Sequence, residues 1–139
     1  MKAQVSWRSL QYAVLRSVAG VSAGLVVVAV AHRASQALSR WALANDFFEL
    51  LGDWYLPRFV AWACVAVLTG LLFGLLFRHR YLAPAVLAAI TVPTTYIVAF
   101  LYLYEADGLV LVRSYWFESA IVLLMLPTAA WASSRRHGA

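Results

Sequence analysis

Apolar residues gather into four stretches, at about residues 12–31, 59–77, 81–104 and 115–132, and nearly all charge falls between them or at their edges. Roughly 20 apolar residues in a helix cross a hydrocarbon core about 30 Å thick. The pattern therefore predicts an all-α membrane protein, a single domain of four transmembrane helices spread over residues 1–139. The first stretch is the weakest, because only Ser17–Ala31 is free of charge and Arg16 must snorkel toward headgroups. Only Arg78-His79-Arg80 separates the second stretch from the third, so these two spans are expected to form an antiparallel hairpin.

The longest connection, residues 32–57, has a helical pattern of its own. Ala37, Trp41, Ala44, Phe48, Leu51 and Tyr55 recur at alternating steps of four and three, which places them on one stripe. This predicts an amphipathic helix lying in the interface of the first outer loop. Asp46 with Glu49 reads as a helix start and Gly52 as a stop. Asp46, Glu49 and Asp53 then form an acidic surface that a partner could use.

Charge sets the expected direction of the spans. With the N-terminal tail, the turn at 78–80 and the C-terminal tail on one side, that side collects Lys2, Arg8, Arg16, Arg78, Arg80, Arg135 and Arg136 and no acid, a charge of +7. The other side holds Arg33, Arg40, Arg58 and Arg113 with all six acids, a charge of −2. Basic residues stay in the cytoplasm, so both ends are expected inside and the protein in a bacterial inner membrane. A competing reading takes Lys2, Arg8 and Arg16, followed by an apolar run ending in Ala29-Val30-Ala31, as a cleaved signal peptide. Gly20 and Gly24 speak for a retained span, since small residues at that spacing serve helix contact.

Composition narrows the function classes. Hydrophobic residues make up 64% of the chain and charged ones 12%, outside the range of soluble domains. The net charge of +5 comes from residues at the ends of apolar segments, without interleaved aromatics, so nucleic acid is not an expected partner. Membrane lipid is. Cys64 alone excludes a disulfide within the chain and a cysteine-rich metal site, and reads as a small buried thiol. His32, His79 and His137 fall at membrane edges, too shallow to clamp a haem. With no phosphate loop or nucleophile elbow either, no cofactor, metal or catalytic group is expected.

The remaining signals concern packing. Gly20 with Gly24, and Gly70 with Gly74, are small-xxx-small pairs that let backbones approach, and the simplest pairing packs span one on span two. Glu118 is the one acid near a span interior; Arg33, Arg58 and Arg113 are its candidate ion-pair partners. Thr91, Thr94, Thr95, Tyr102 and Glu105 share a broad face of span three, the one track resembling a solute path, although threonines there commonly bond their own backbone. Pro93 and Pro127 predict bends in spans three and four. The leading expectation is a non-catalytic accessory subunit or assembly factor of a larger inner-membrane complex. The alternative is a homo-oligomeric transporter or channel using the polar face of span three.

Overall fold

The computed structural model describes residues 7–45, 55–105 and 108–136, and every element in them is helical. Helix α1 covers Trp7–Ala44 and α2 Tyr55–Phe77. A single 3-10 turn, Arg78–Arg80, leads into α3, Leu82–Tyr104. The short α4, Gly108–Ser114, precedes α5, Trp116–Arg136. Helices α1, α2, α3 and α5 are each long and apolar enough to span a membrane, which makes this a multi-pass membrane protein.

Helix α1 differs from expectation. Its 38 residues, about 57 Å at 1.5 Å per residue, run unbroken through the first expected span and into the outer segment. No separate interfacial helix starts at residue 32. The reason is local: residues 32–44 contain neither glycine nor proline and are mostly good helix formers, so nothing stops the ladder before Asn45. There the side chain of Asn45 donates to the Trp41 carbonyl at 2.8 Å and closes the last turn. Ala37, Trp41 and Ala44 face outward, whereas Ala31, Ser35 and Ala42 turn into the bundle. Asp46, Phe48, Glu49, Leu51, Gly52 and Asp53 lie outside the described residues.

The four long helices form a square in the order α1, α2, α5, α3, and each packs on two neighbours. Helices α2 and α3 sit across the diagonal and barely touch, despite the three-residue turn that joins them. The expected hairpin is thus opened. Arg78, with φ of 43° in the left-handed region, begins the turn, and Glu105, with φ of 47°, ends α3. Such values are uncommon for residues with a side chain and persist where packing demands them.

The glycine pairs select the neighbours, and they differ from the simple pairing of spans one and two. A Cβ on Gly20 would lie 2.7 Å from the Pro84 carbonyl oxygen, and one on Gly24 would lie 2.6 Å from that of Ala88, so both face α3. Gly70 meets the Leu126 carbonyl and Gly74 the Ala130 carbonyl, so both face α5. Ser133 bridges this second seam by donating to the Leu71 carbonyl at 3.1 Å. The order of these contacts means that α1 and α3 run parallel, as do α2 and α5. Helix α1 also packs on α2, but without its glycines.

Small residues fill much of the core, with Ala31, Ala66, Ala85, Ala88, Ala89 and Ala130 packed around Trp62, Phe73, Val92 and Leu126. Large aliphatics such as Leu72, Leu76, Val98 and Leu124 point outward. This arrangement suits lipid, which offers helices no hydrophobic gain for association and leaves close contact to hold them. Cys64 also faces outward rather than being buried, on the rim of a groove with Trp41 and Val60. Pro93 and Pro127 are accommodated within continuous helices.

Valine at Gly70 or Gly74 would strike backbone that cannot move aside. Each substitution is expected to destabilise the bundle by roughly 1–3 kcal/mol, read as a lowered midpoint of denaturation in detergent, with valine at Gly24 acting through the α1–α3 seam instead.

Candidate functional site

The parallel run of α2 and α5 brings Arg58, one turn into α2, beside Glu118, in the first turn of α5. Arg58 Nε donates to Glu118 Oε1 at 2.7 Å, and Nη2 donates to the same oxygen. Glu118 is 1% exposed while the Arg58 side chain keeps 30% of its surface open, so the acid is sealed and the base reaches outward. Arg33 and Arg113, the other candidate partners, are both exposed. A lone charge at the centre of a membrane helix costs about 2.5–3.5 kcal/mol; Glu118 lies near the end of its span, and the guanidinium offsets its charge.

An aromatic wall backs the pair. The Tyr115 ring lies 5.6 Å from the Arg58 guanidinium carbon, within cation–π range. Tyr96 stacks on Tyr115 with centroids 4.6 Å apart and packs on Trp62 at 6.1 Å. Phe100 completes the cluster, 5.2 Å from Tyr115.

The third side comes from α1. His32, Ser35, Gln36, Ser39 and Arg40 recur at helical spacing, and with Arg58, Trp62, Tyr115 and Glu118 they line an open cavity of about 340 Å³. Gln36 hydrogen-bonds His32 across one turn, Nε2 to Nε2, at 3.0 Å. Because both α2–α5 contacts to Arg58 engage Oε1, Glu118 Oε2 is left buried without a hydrogen-bond partner among the described residues, and so is the Tyr96 hydroxyl. Buried polar atoms are rarely left so. The polar stripe of α1 was available in the sequence as residues 32, 36 and 40 and as residues 35 and 39, each four apart. It goes unnoticed when the same segment is read for its apolar stripe.

The threonine face of α3 lies elsewhere. Thr91, Thr94 and Thr95 donate to the carbonyls of Leu87, Ile90 and Thr91 at 2.7, 2.9 and 2.7 Å, so each hydroxyl is engaged within its own helix. They line an open groove of about 510 Å³ between α1 and α3, otherwise walled by aliphatics such as Val21 and Leu25. Tyr102 and Glu105 are exposed and do not contribute to its lining. Among the described residues no three His, Cys, Asp or Glu side chains are grouped to hold a metal ion.

No known protein family, curated protein or solved structure matches the chain. The chemistry of the cavity therefore has to be read from its own residues.

Alanine at Arg58 strips a sealed carboxylate of its counter-ion. It is expected to cost about 3 kcal/mol, measured by denaturation in detergent, and the double replacement of Arg58 and Glu118 by methionine should recover most of that loss, because two apolar chains leave no charge uncompensated.

Proposed function

We propose that this is a non-catalytic bacterial inner-membrane protein that holds the polar end of an amphipathic molecule in the cavity between α1, α2 and α5. The observation that carries this reading is the combination of a polar-lined cavity with a sealed acid, Glu118, one of whose oxygens has no partner among the described residues. Polar groups that converge on a pocket beside aromatic side chains can fix the orientation of a small molecule. The accessory-subunit expectation rested on tight helix packing and on spans without a buried charge, and the buried Glu118 bears on the second of these. The acid's engagement supports a binding role: two donors from Arg58 hold Glu118 Oε1 in a fixed position.

In this reading both chain ends and the 78–80 turn lie in the cytoplasm, and the cavity opens in the outer half of the membrane, the direction favoured by the distribution of basic residues. With Cys64 replaced by alanine, a cysteine placed at Gly138 should resist an impermeant thiol reagent in intact cells, while one placed at Asp107 should react. Labelling in the reverse pattern would invert the orientation.

Native mass spectrometry of the protein released from mild detergent tests the binding reading itself. An adduct of amphiphile mass is expected, bound at one per chain and lost when tryptophan at Ser35 fills the cavity; a bare chain at the lowest activation energy would end it. The same spectra address docking to a larger membrane partner. That second reading draws on the start of α1, where Trp7, Leu10, Tyr12, Val14 and Leu15 are all exposed among the described residues. A stoichiometric polypeptide partner would support it.

A further inference from the structure

A second recess lies at the opposite end of the bundle, where α1 and α3 start and α2 and α5 finish. Tyr12, Leu15 and Arg16 of α1, Leu76 and Phe77 of α2 and Arg80 of the connecting turn line this open recess of about 240 Å³. The α1–α3 seam sets the meeting: Gly20 faces Pro84 and Gly24 faces Ala88, and the same register one turn earlier brings Arg16 level with Arg80. Arg16 Nε donates to the Tyr12 carbonyl at 3.0 Å, which holds the guanidinium beside Tyr12 and leaves its two terminal nitrogens without a hydrogen-bond partner among the described residues. Arg80 is exposed, and neither arginine is ion-paired among the described residues.

No acidic side chain of the sequence can reach this recess. Glu105 ends α3 and Glu118 stands in the first turn of α5, both at the far end of the bundle, and Asp107 follows Glu105 by two residues. Asp46, Glu49 and Asp53 fall between the end of α1 and the start of α2, where no residue is more than about 18 Å of extended chain from Asn45 or Tyr55. Helix α2 alone is about 35 Å long. The residues that adjoin the recess end of the bundle supply Lys2, Arg8, Arg78, Arg135 and Arg136 besides Arg16 and Arg80, and His79 and His137 add positive charge or none. The positive excess thus holds over the whole sequence. An ammonium finds no carboxylate side chain here, whereas two guanidiniums from separate elements suit phosphate oxygens.

We infer that the recess holds the phosphate of one anionic phospholipid between Arg16 and Arg80. Snorkelling alone would take each arginine to water separately. Here two elements bring them to one concavity, at the level where the uncharged part of the first span begins and headgroups lie. The rest of the lining is mostly apolar, and from Leu76 the exposed Leu72 and Leu68 continue along one face of α2 at steps of four. That track runs toward the middle of the membrane and fits an acyl chain, which makes the occupant a lipid and not free phosphate. Basic pockets between membrane helices take anionic headgroups in this way. The recess and the Glu118 cavity lie at opposite ends of α2, so neither site requires the other.

The test uses the full-length protein in phosphatidylcholine nanodiscs doped in turn with phosphatidylglycerol, phosphatidic acid or phosphatidylethanolamine, with retained lipid counted by native mass spectrometry. Both anionic lipids should be retained over phosphatidylethanolamine and phosphatidylcholine. Arg16→Gln and Arg80→Gln should each lower phosphatidylglycerol retention about tenfold, the loss of one charge-assisted contact. Arg135→Gln removes the same charge at the same end of the bundle, but Arg135 lies over the Trp131 ring, 4.1 Å from its centroid, and does not line the recess. It should leave retention unchanged, as should Ser35→Trp, which fills the other cavity. An equal loss with Arg135→Gln would reduce the effect to diffuse attraction and overturn the recess. Equal retention of anionic and zwitterionic lipids by the unaltered protein would overturn it too, a result that needs no variant to fold. Release of the lipid by excess glycerol 1-phosphate would overturn the lipid as occupant, because the acyl chains would then add nothing.

Discussion

The seam between α2 and α5 is the contact on which the rest of the bundle depends. At one end the absence of side chains at Gly70 and Gly74 lets the backbones meet, and Ser133 adds a hydrogen bond across the gap. At the other end Arg58 closes on Glu118. The two ends impose one register. Close approach determines how the helices slide past each other, and only within that register does the guanidinium reach the carboxylate. Lipid supplies no hydrophobic drive for helix pairing, so surface fit and a few polar contacts must provide it.

That register has a consequence at the far end. With α2 and α5 parallel and α1 parallel to α3, the square puts the start of α2 beside the second half of α1 and the start of α5 at the same level across the diagonal. Helix α1 is longer than a bilayer core requires, and its additional turns carry His32, Ser35, Gln36, Ser39 and Arg40 past the ion pair instead of into a loop. The cavity therefore arises from three elements, none of which contains a site alone. Its sealed end joins an acid held on one oxygen to an aromatic wall, and its rim carries a positive charge.

The threonine face of α3 illustrates the opposite case. Its hydroxyls are polar in the sequence, yet each is turned back onto the carbonyl four residues earlier, and the groove they border is walled mainly by aliphatic carbon. Polarity that is satisfied within one helix makes no demand on its surroundings. The oxygen of Glu118 that lacks a partner among the described residues does, because Arg58 has engaged the other oxygen.

Four apolar stretches of spanning length, small-xxx-small pairs and a lone acid near the start of the last span were legible in the sequence, because hydropathy, side-chain size and charge are properties of single residues and local spacing. The partners of those features were not. Which arginine meets Glu118, which helix each glycine pair faces, and that α2 and α3 sit diagonally after a three-residue turn are all decided by how the helices pack as a set. The continuation of α1 through Ala44 stands between the two: no breaker interrupts it, but the apolar stripe of residues 37–55 suggests a new element, and only packing shows Ser35 and Ala42 turned inward. Local chemistry determines what each helix can offer, and tertiary contact alone determines to what it is offered.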